Sequence, residues 1–325
     1  MTELVTAGVG EMSSGGAAEA VPPAVLALDV GASTIKAAVV DHHGTRVHEA
    51  RVPTRREHGG QAALRAVQEV ALDLLHRPGA LVQAAGVAVP GTVGPDGSVT
   101  SVNLGWEKVE VVPSLVGRLG VPLTVLNDAQ AGALGEGRSG CAVGVANFLY
   151  VSLGTGIGGA IVDGGRLFSG AHGQAGEIGH LRVEYPGRTC ACGASGCLQT
   201  VMSAAALEAR WAEVSGAALA ADKIVALARS GSSAAAGIWQ AAVDGLAAGL
   251  LHATTMLDPA SIVIGGGLAG AGDTLLAPLR ASLESQARPF HVVAPLHLAA
   301  LGPWSGCAGA ASAAWALLGG AGGPP

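Results

Sequence analysis

The segment AVLALDVGASTIKAAVVD, residues 24–41, reads as a strand, a tight polar turn and a second strand. An apolar run from Val25 ends at Asp29, the turn holds Gly31, Ala32 and Ser33, and a second run covers Ile35–Val40. The pattern returns in NFLYVSLGTGIGGAIVDGGRL, residues 147–167, where Thr155 again puts a hydroxyl in a glycine-rich turn. A third strand, in ASIVIGGGLAGAGDTLLAPL at residues 260–279, runs into Gly265, Gly266 and Gly267 and then a helix. Helical patterns cover 60–76, 203–229 and 234–257, and the repeat is too long for a solenoid. Two hairpin-headed copies predict a duplicated α/β fold with a cleft between them. We expect a small α/β lobe over 24–138 and a large one over 139–318, with the last helix, 305–318, crossing back to the small lobe.

Composition narrows the possibilities. Half of the 325 residues are apolar but only 3% are aromatic, and 51 are glycine, so helices and sheets should pack closely on small side chains. The net charge of −6 comes without any run of Lys or Arg, which argues against a nucleic-acid groove. The Ala-rich segment 241–257 is interrupted by Asp244, His252 and two threonines, so no membrane span is expected. Residues 1–23 contain no Lys or Arg, and with 319–325 they read as disordered tails rather than an export signal. The expected compartment is therefore the cytoplasm, where clustered cysteines hold metal more often than disulfides.

Three motifs carry chemistry. The turn Gly154-Thr155-Gly156-Ile157-Gly158-Gly159 lacks the Lys and Ser/Thr of a Walker loop, and a strand rather than a helix follows it. Its backbone N–H groups can still cradle phosphate, and the matching turn at Asp29–Lys36 would grip a polyphosphate from the other side. A crowded hairpin explains either turn alone. Asn127-Asp128 closes a strand in PLTVLNDAQ and opens a helix, which suits an N-cap equally well as a general base for a hydroxyl attacking a γ-phosphate. The third is GEIGHLRVEYPGRTCACGASGCLQT, residues 176–200. His180, Cys190, Cys192 and Cys197 make a four-ligand, thiolate-rich set of the kind structural zinc prefers, with buried reduced thiols as the bland alternative. Zinc there would immobilise His180 and hold Glu177 beside it. Cys141 and Cys307 read as ordinary buried thiols.

With these motifs in view, the chain resembles the ROK family of bacterial sugar kinases and sugar-responsive repressors, and within it is most similar to the glucokinases. The likeness covers residues 24–318 and adds Val89-Pro90-Gly91 and Asn103-Leu104-Gly105-Trp106 to the motifs above. It implies a two-lobed actin-like, hexokinase-type fold closing on ATP, Mg2+ and a hexose, with Asp128 as the base and structural Zn2+ in the knot. Asn103, Asn127, Glu177 and His180 would contact the sugar. Asp29 would hold the Mg–phosphate end, Gly31, Ser33, Lys36, Gly154, Thr155 and Gly156 the phosphates, and Gly265–Gly267 the nucleoside. A homodimer or homotetramer is implied as well. Two departures stand out. Ala32 and Ser33 replace the family's Gly-Thr, and Gln199 replaces a glutamate that accepts hydrogen bonds from the anomeric end of the sugar. A charge-assisted hydrogen bond contributes about 1.5–3 kcal/mol and a neutral one about half that, so glucose would bind roughly tenfold more weakly. Gln199 is then either drift or the mark of a ligand altered near positions 1 and 2, such as an amino sugar, a ketose or a C7-cyclitol. The sugar-responsive repressors of the family carry a DNA-binding domain ahead of the first hairpin, and the short segment before Ala24 does not suit one. A sugar-binding protein without catalysis is the remaining alternative, disfavoured by Asp128 and the three intact turns.

Overall fold

A computed structural model describes residues 21–94 and 96–319, so all but 21–23 and 319 of the expected tails, 1–23 and 319–325, lies outside the described residues, and Gly319 ends the last helix. In chain order the elements are β1 (Pro23–Val30), β2 (Thr34–Asp41), β3 (Arg46–Pro53), α1 (Gly60–Leu75), β4 (Leu81–Val89), β5 (Thr92–Val93), β6 (Ser98–Ser101), β7 (Trp106–Glu110), α2 (Val111–Leu119), β8 (Leu123–Asn127) and α3 (Asp128–Ser139). There follow β9 (Phe148–Leu153), β10 (Ile157–Asp163), β11 (Arg166–Phe168), α4 (Ala204–Ser215), α5 (Ala221–Arg229), α6 (Ser233–Leu257), β12 (Ser261–Gly265), α7 (Asp273–Gln286), β13 (Leu296–Leu298) and α8 (Ser305–Gly319). The first strand thus takes up Pro23, which the tail reading had excluded. The expected helix over 203–229 is two helices, because Gly216 at φ 73° ends α4 in a left-handed cap.

Two five-stranded sheets repeat one topology: β3-β2-β1-β4-β8 and β11-β10-β9-β12-β13. Each begins with an antiparallel meander whose first strand then pairs in parallel with later strands. The repeated hairpins of the sequence are therefore the heads of two equivalent sheets. A small third sheet, β5-β6-β7, decorates the first.

Helices α3 and α8 fill the space between the sheets. α8 packs on the first sheet, where Ala310, Ala311 and Ala314 meet Val25, Ala27 and Ala84. α3 packs on the second, where Ala129 and Ala133 meet Phe148, Tyr150 and Val162. Their mutual contact is backbone on backbone. A Cβ added to Gly309 would lie 1.7 Å from the Ala131 carbonyl oxygen, and one on Gly135 would lie 2.4 Å from that of Ser305. This seam is where the glycine- and alanine-rich composition is used. The outer faces bury larger side chains, with Leu26, Leu28, Val67 and Trp106 on one side and Leu149, Leu198, Trp239 and Leu250 on the other. α6 is long and apolar enough to span a bilayer, with a mean hydropathy of 1.3 over 18 residues, but 56% of that window is buried in this second core.

Candidate active site

The carboxyl ends of β1, β8, β9 and β12 bring the sequence-identified residues together. Asn127 ends β8 and caps α3: its Oδ1 accepts from the Ala129 N–H at 2.9 Å while its Nδ2 donates to the Gly91 carbonyl at 2.7 Å. Gly91, at φ 107°, is where the Val-Pro-Gly break lets that carbonyl turn toward the helix. Both ends of the Asn127 amide are thus used to aim the start of α3, so the N-cap reading describes its contacts. Asp128 follows as the first helical residue, and Ala129 beside it lies against Gly158 of β10.

Burial, then the Asp29 and Glu177 carboxylates nearby, raise the Asp128 pKa to about 7, against a partial lowering by the Ala129 N–H. A carboxyl poised there titrates near neutrality, as a general base for a sugar hydroxyl requires. Asp29 lies across from it at the end of β1. Its carboxylate rests on Gly306 in the first turn of α8, so close that a Cβ there would fall 2.7 Å from Asp29 Cγ. Lys36 Nζ is paired with Asp29 Oδ2 and donates to the Pro303 carbonyl at 2.6 Å. A carboxylate and a backbone carbonyl thus converge on the Lys36 ammonium.

The first turn is braced by a residue that the sequence did not single out. Thr54, fully buried just beyond β3, donates from Oγ1 to the Gly31 carbonyl at 2.7 Å and from its N–H to Ser33 O at 3.0 Å. Ser33 itself is exposed. The second turn is bare backbone: Gly154 N donates to Gly156 O, Gly154 O accepts from Ala204 N, and Thr155 and Gly156 are exposed. The third turn sits beside it, since a Cβ on Gly266 would meet Leu153 O at 2.4 Å; Gly267 faces open space. Glu136 is a second residue without a sequence signal. Fully buried in α3, it accepts from the N–H groups of Cys141, Ala300 and Leu301 and from Ser305 Oγ, fixing the segment that carries Pro303.

Opposite Asp128, the segment Gly176–His180 lies flat on β10. Added Cβ atoms on Gly176 and Gly179 would collide with the carbonyls of Gly159 and Ile157, and Ile178 is buried between them. Glu177 precedes a short 3-10 turn that His180 ends; both residues keep exposed surface, with the Glu177 carboxyl half-buried. Burial raises the Glu177 pKa, partly offset by His180. Asn103 is exposed on a turn anchored by buried Leu104 and Trp106, with its backbone carbonyl accepting from Arg56.

The knot closes behind His180. Ligand atoms of His180, Cys190, Cys192 and Cys197 all lie within 4.8 Å of one another. Cys192 and Cys197 sulfurs are 3.7 Å apart, as are Cys190 Sγ and His180 Nδ1. A tetrahedron with Zn–S bonds of about 2.3 Å has an edge of about 3.8 Å, so these two separations match those of a zinc site. Burial opposes ionisation of Cys190, but donors from the Cys192 backbone and Gln199 outweigh it and lower its pKa to about 6. Gln199 does not stand free beside the sugar residues: its Nε2 donates to Cys190 Sγ at 3.0 Å.

The arrangement has known counterparts. A ROK family model matches residues 25–316. A glucokinase of Halalkalibacterium halodurans is 35% identical over 284 residues, covering 81% of this chain and 86% of that one. A kanosamine kinase of Amycolatopsis mediterranei is 31% identical, covering 90% and 96%. A ROK family glucokinase from Streptomyces griseus, solved with glucose and AMPPNP, superposes with a TM-score of 0.80 at 29% identity, covering 90% and 99%. Continuous over both sheets and the knot, these matches carry one conclusion: the chain belongs to the ROK family.

Proposed function

We propose that the protein is an ATP-dependent sugar kinase that transfers the γ-phosphoryl group of ATP to the primary hydroxyl of glucose. The observation that carries this reading is Asp128, held at the start of α3 with its pKa raised to about 7, between the two phosphate turns and Glu177. Asp128 accepts the hydroxyl proton as the sugar oxygen bonds to the γ-phosphorus and the bond from phosphorus to the ADP oxygen breaks. Asn103, Glu177 and His180 orient the sugar. Asn127 aims Asp128 and, with its second amide N–H, binds a sugar hydroxyl. The N–H groups of the turns at 29–36 and 154–156 hold the phosphates, and Gly265–Gly267 leave room for the nucleoside. Asp29 would hold Mg2+ together with the phosphates, where the ion would offset developing charge, with Lys36 beside it. His180, Cys190, Cys192 and Cys197 would hold zinc, which would fix the ring of His180. Residues 24–138 and 139–318 act as two lobes that exclude water on closing. We further read the protein as a cytoplasmic homodimer or homotetramer.

A second substrate reading has its own support. Gln199 stands where the family has glutamate, its amide is engaged by Cys190, and one relative is a kanosamine kinase. An amino sugar, a ketose or a C7-cyclitol is then the better acceptor. ADP release with Mg–ATP over glucose, mannose, fructose, N-acetylglucosamine, kanosamine and a C7-cyclitol separates the readings. Best turnover on glucose supports the first and best turnover on another acceptor the second. Sugar binding without ADP release from any of them would overturn both.

A further inference from the structure

One end of the Gln199 side chain is held by the knot and the other faces the second phosphate turn. Its Nε2 lies 3.0 Å from Cys190 Sγ. Its Oε1 lies 3.3 Å from the point where a Cβ on Gly156 would sit, against the exposed crest of the second phosphate turn. The backbone that presents it is fixed on three sides. Cys197 precedes it in the knot, Leu198 is fully buried against Gly249 of α6, and Thr200 donates from Oγ1 to the Cys197 carbonyl at 2.7 Å. Gln199 therefore spans the gap between the knot and the turn, and rotation about its χ angles would give up the contact to sulfur.

We infer that Gln199 is a positioning residue for the metal knot: its amide N–H holds the Cys190 sulfur and its carbonyl end abuts Gly156, so that it links the knot to the phosphate turn rather than binding sugar. A thiolate ligand carries charge that an N–H donor stabilises, and such a bond is of the charge-assisted kind. Glutamate is the same length but has no N–H to give when ionised. The amide is thus the form that this contact requires. Groups that orient metal ligands typically change metal affinity 10–100-fold when removed.

This inference rests on the zinc reading of the knot, and the test separates the two. Purified wild-type protein is assayed for zinc content, then followed by first-order zinc loss to excess chelator, alongside Gln199→Met and Gln199→Glu. Both variants keep the side-chain length, so a folding defect is checked by circular dichroism and sugar-dependent activity. Both should lose zinc about tenfold faster or more. In cobalt-substituted protein, Gln199→Met should move the thiolate-to-cobalt charge-transfer band to longer wavelength, because the sulfur lone pairs lose their donor. If Gln199→Met keeps zinc and an unshifted cobalt band while the sugar KM rises, Gln199 is a sugar ligand and the inference falls, with the zinc reading intact. If the wild type holds no zinc, both fall together.

Discussion

The two sheets share a topology but hold their site residues by different means. On the first sheet, side chains do the holding: Asn127 caps α3, Lys36 pairs with Asp29, and Thr54 clasps the turn. On the second, glycine backbone and four clustered ligand atoms do it, with Glu177 and His180 standing out from the Gly176–His180 segment. A helix N-terminus positions a reacting carboxylate rigidly because its capping bonds are short and local. A loop rich in glycine has no such rigidity and must take it from a cross-link. The first half should therefore control the chemical step and the second half the grip on the sugar.

The largest effect should come from Asp128→Asn. Removing the base should lower kcat by about 10²–10⁴-fold while sugar KM changes little. Steady-state kinetics on the best acceptor checks this, and an equal loss in KM would blur the division between the halves. Next is the knot. Cys197→Ser, or chelation of zinc from the wild type, should raise sugar KM about 10–100-fold with a smaller loss in kcat. Retention of full sugar affinity without metal would mean that the loop is stiff by itself.

A smaller effect follows from the Asp128 carboxyl. The base works ionised, so kcat/KM should rise about tenfold from pH 6 to pH 8 and flatten above the apparent pKa near 7. The linkage to stability runs the other way. The folded state keeps the Asp128 proton up to about pH 7 while the unfolded chain releases it near 3.8, so this group costs stability as pH rises through that window. Asp128→Asn should accordingly raise the unfolding free energy at pH 8, by about 4 kcal/mol, and leave it unchanged below pH 4. Denaturant melts at the two pH values test the sign.

The parts legible in the sequence were those with a local pattern. The hairpins at 24–41 and 147–163 alternate around glycine, and the ligands of the knot lie within 18 residues of chain. What escaped depends on distant partners. β3, RVHEARVP, is too polar to read as a strand, and it is half-exposed because it lies at the sheet edge. Glu136 looks like any helical glutamate, yet Ala300, Leu301 and Ser305 converge on it from far along the chain. Gly309 resembles any glycine in an alanine-rich helix until the Ala131 carbonyl is found against it. Gln199 could be seen to differ from the family, but only its contact with Cys190 indicates what the amide does.

Thr54 gives the finest test of the comparison, because a single side-chain hydroxyl from it clasps the first turn. Thr54→Val keeps the volume but removes the Oγ1 donor to Gly31 O, leaving a carbonyl without its partner in a fully buried corner. The loss of one such bond costs about 1 kcal/mol, and the turn it loosens is the one assigned to phosphate. KM for ATP should therefore rise about fivefold while sugar KM stays near its wild-type value. Thr54→Ser, which restores the hydroxyl, should recover most of the loss. If the valine variant instead raises sugar KM, the two turns move as one body, and the contrast between a side-chain-held half and a metal-held half is too sharp.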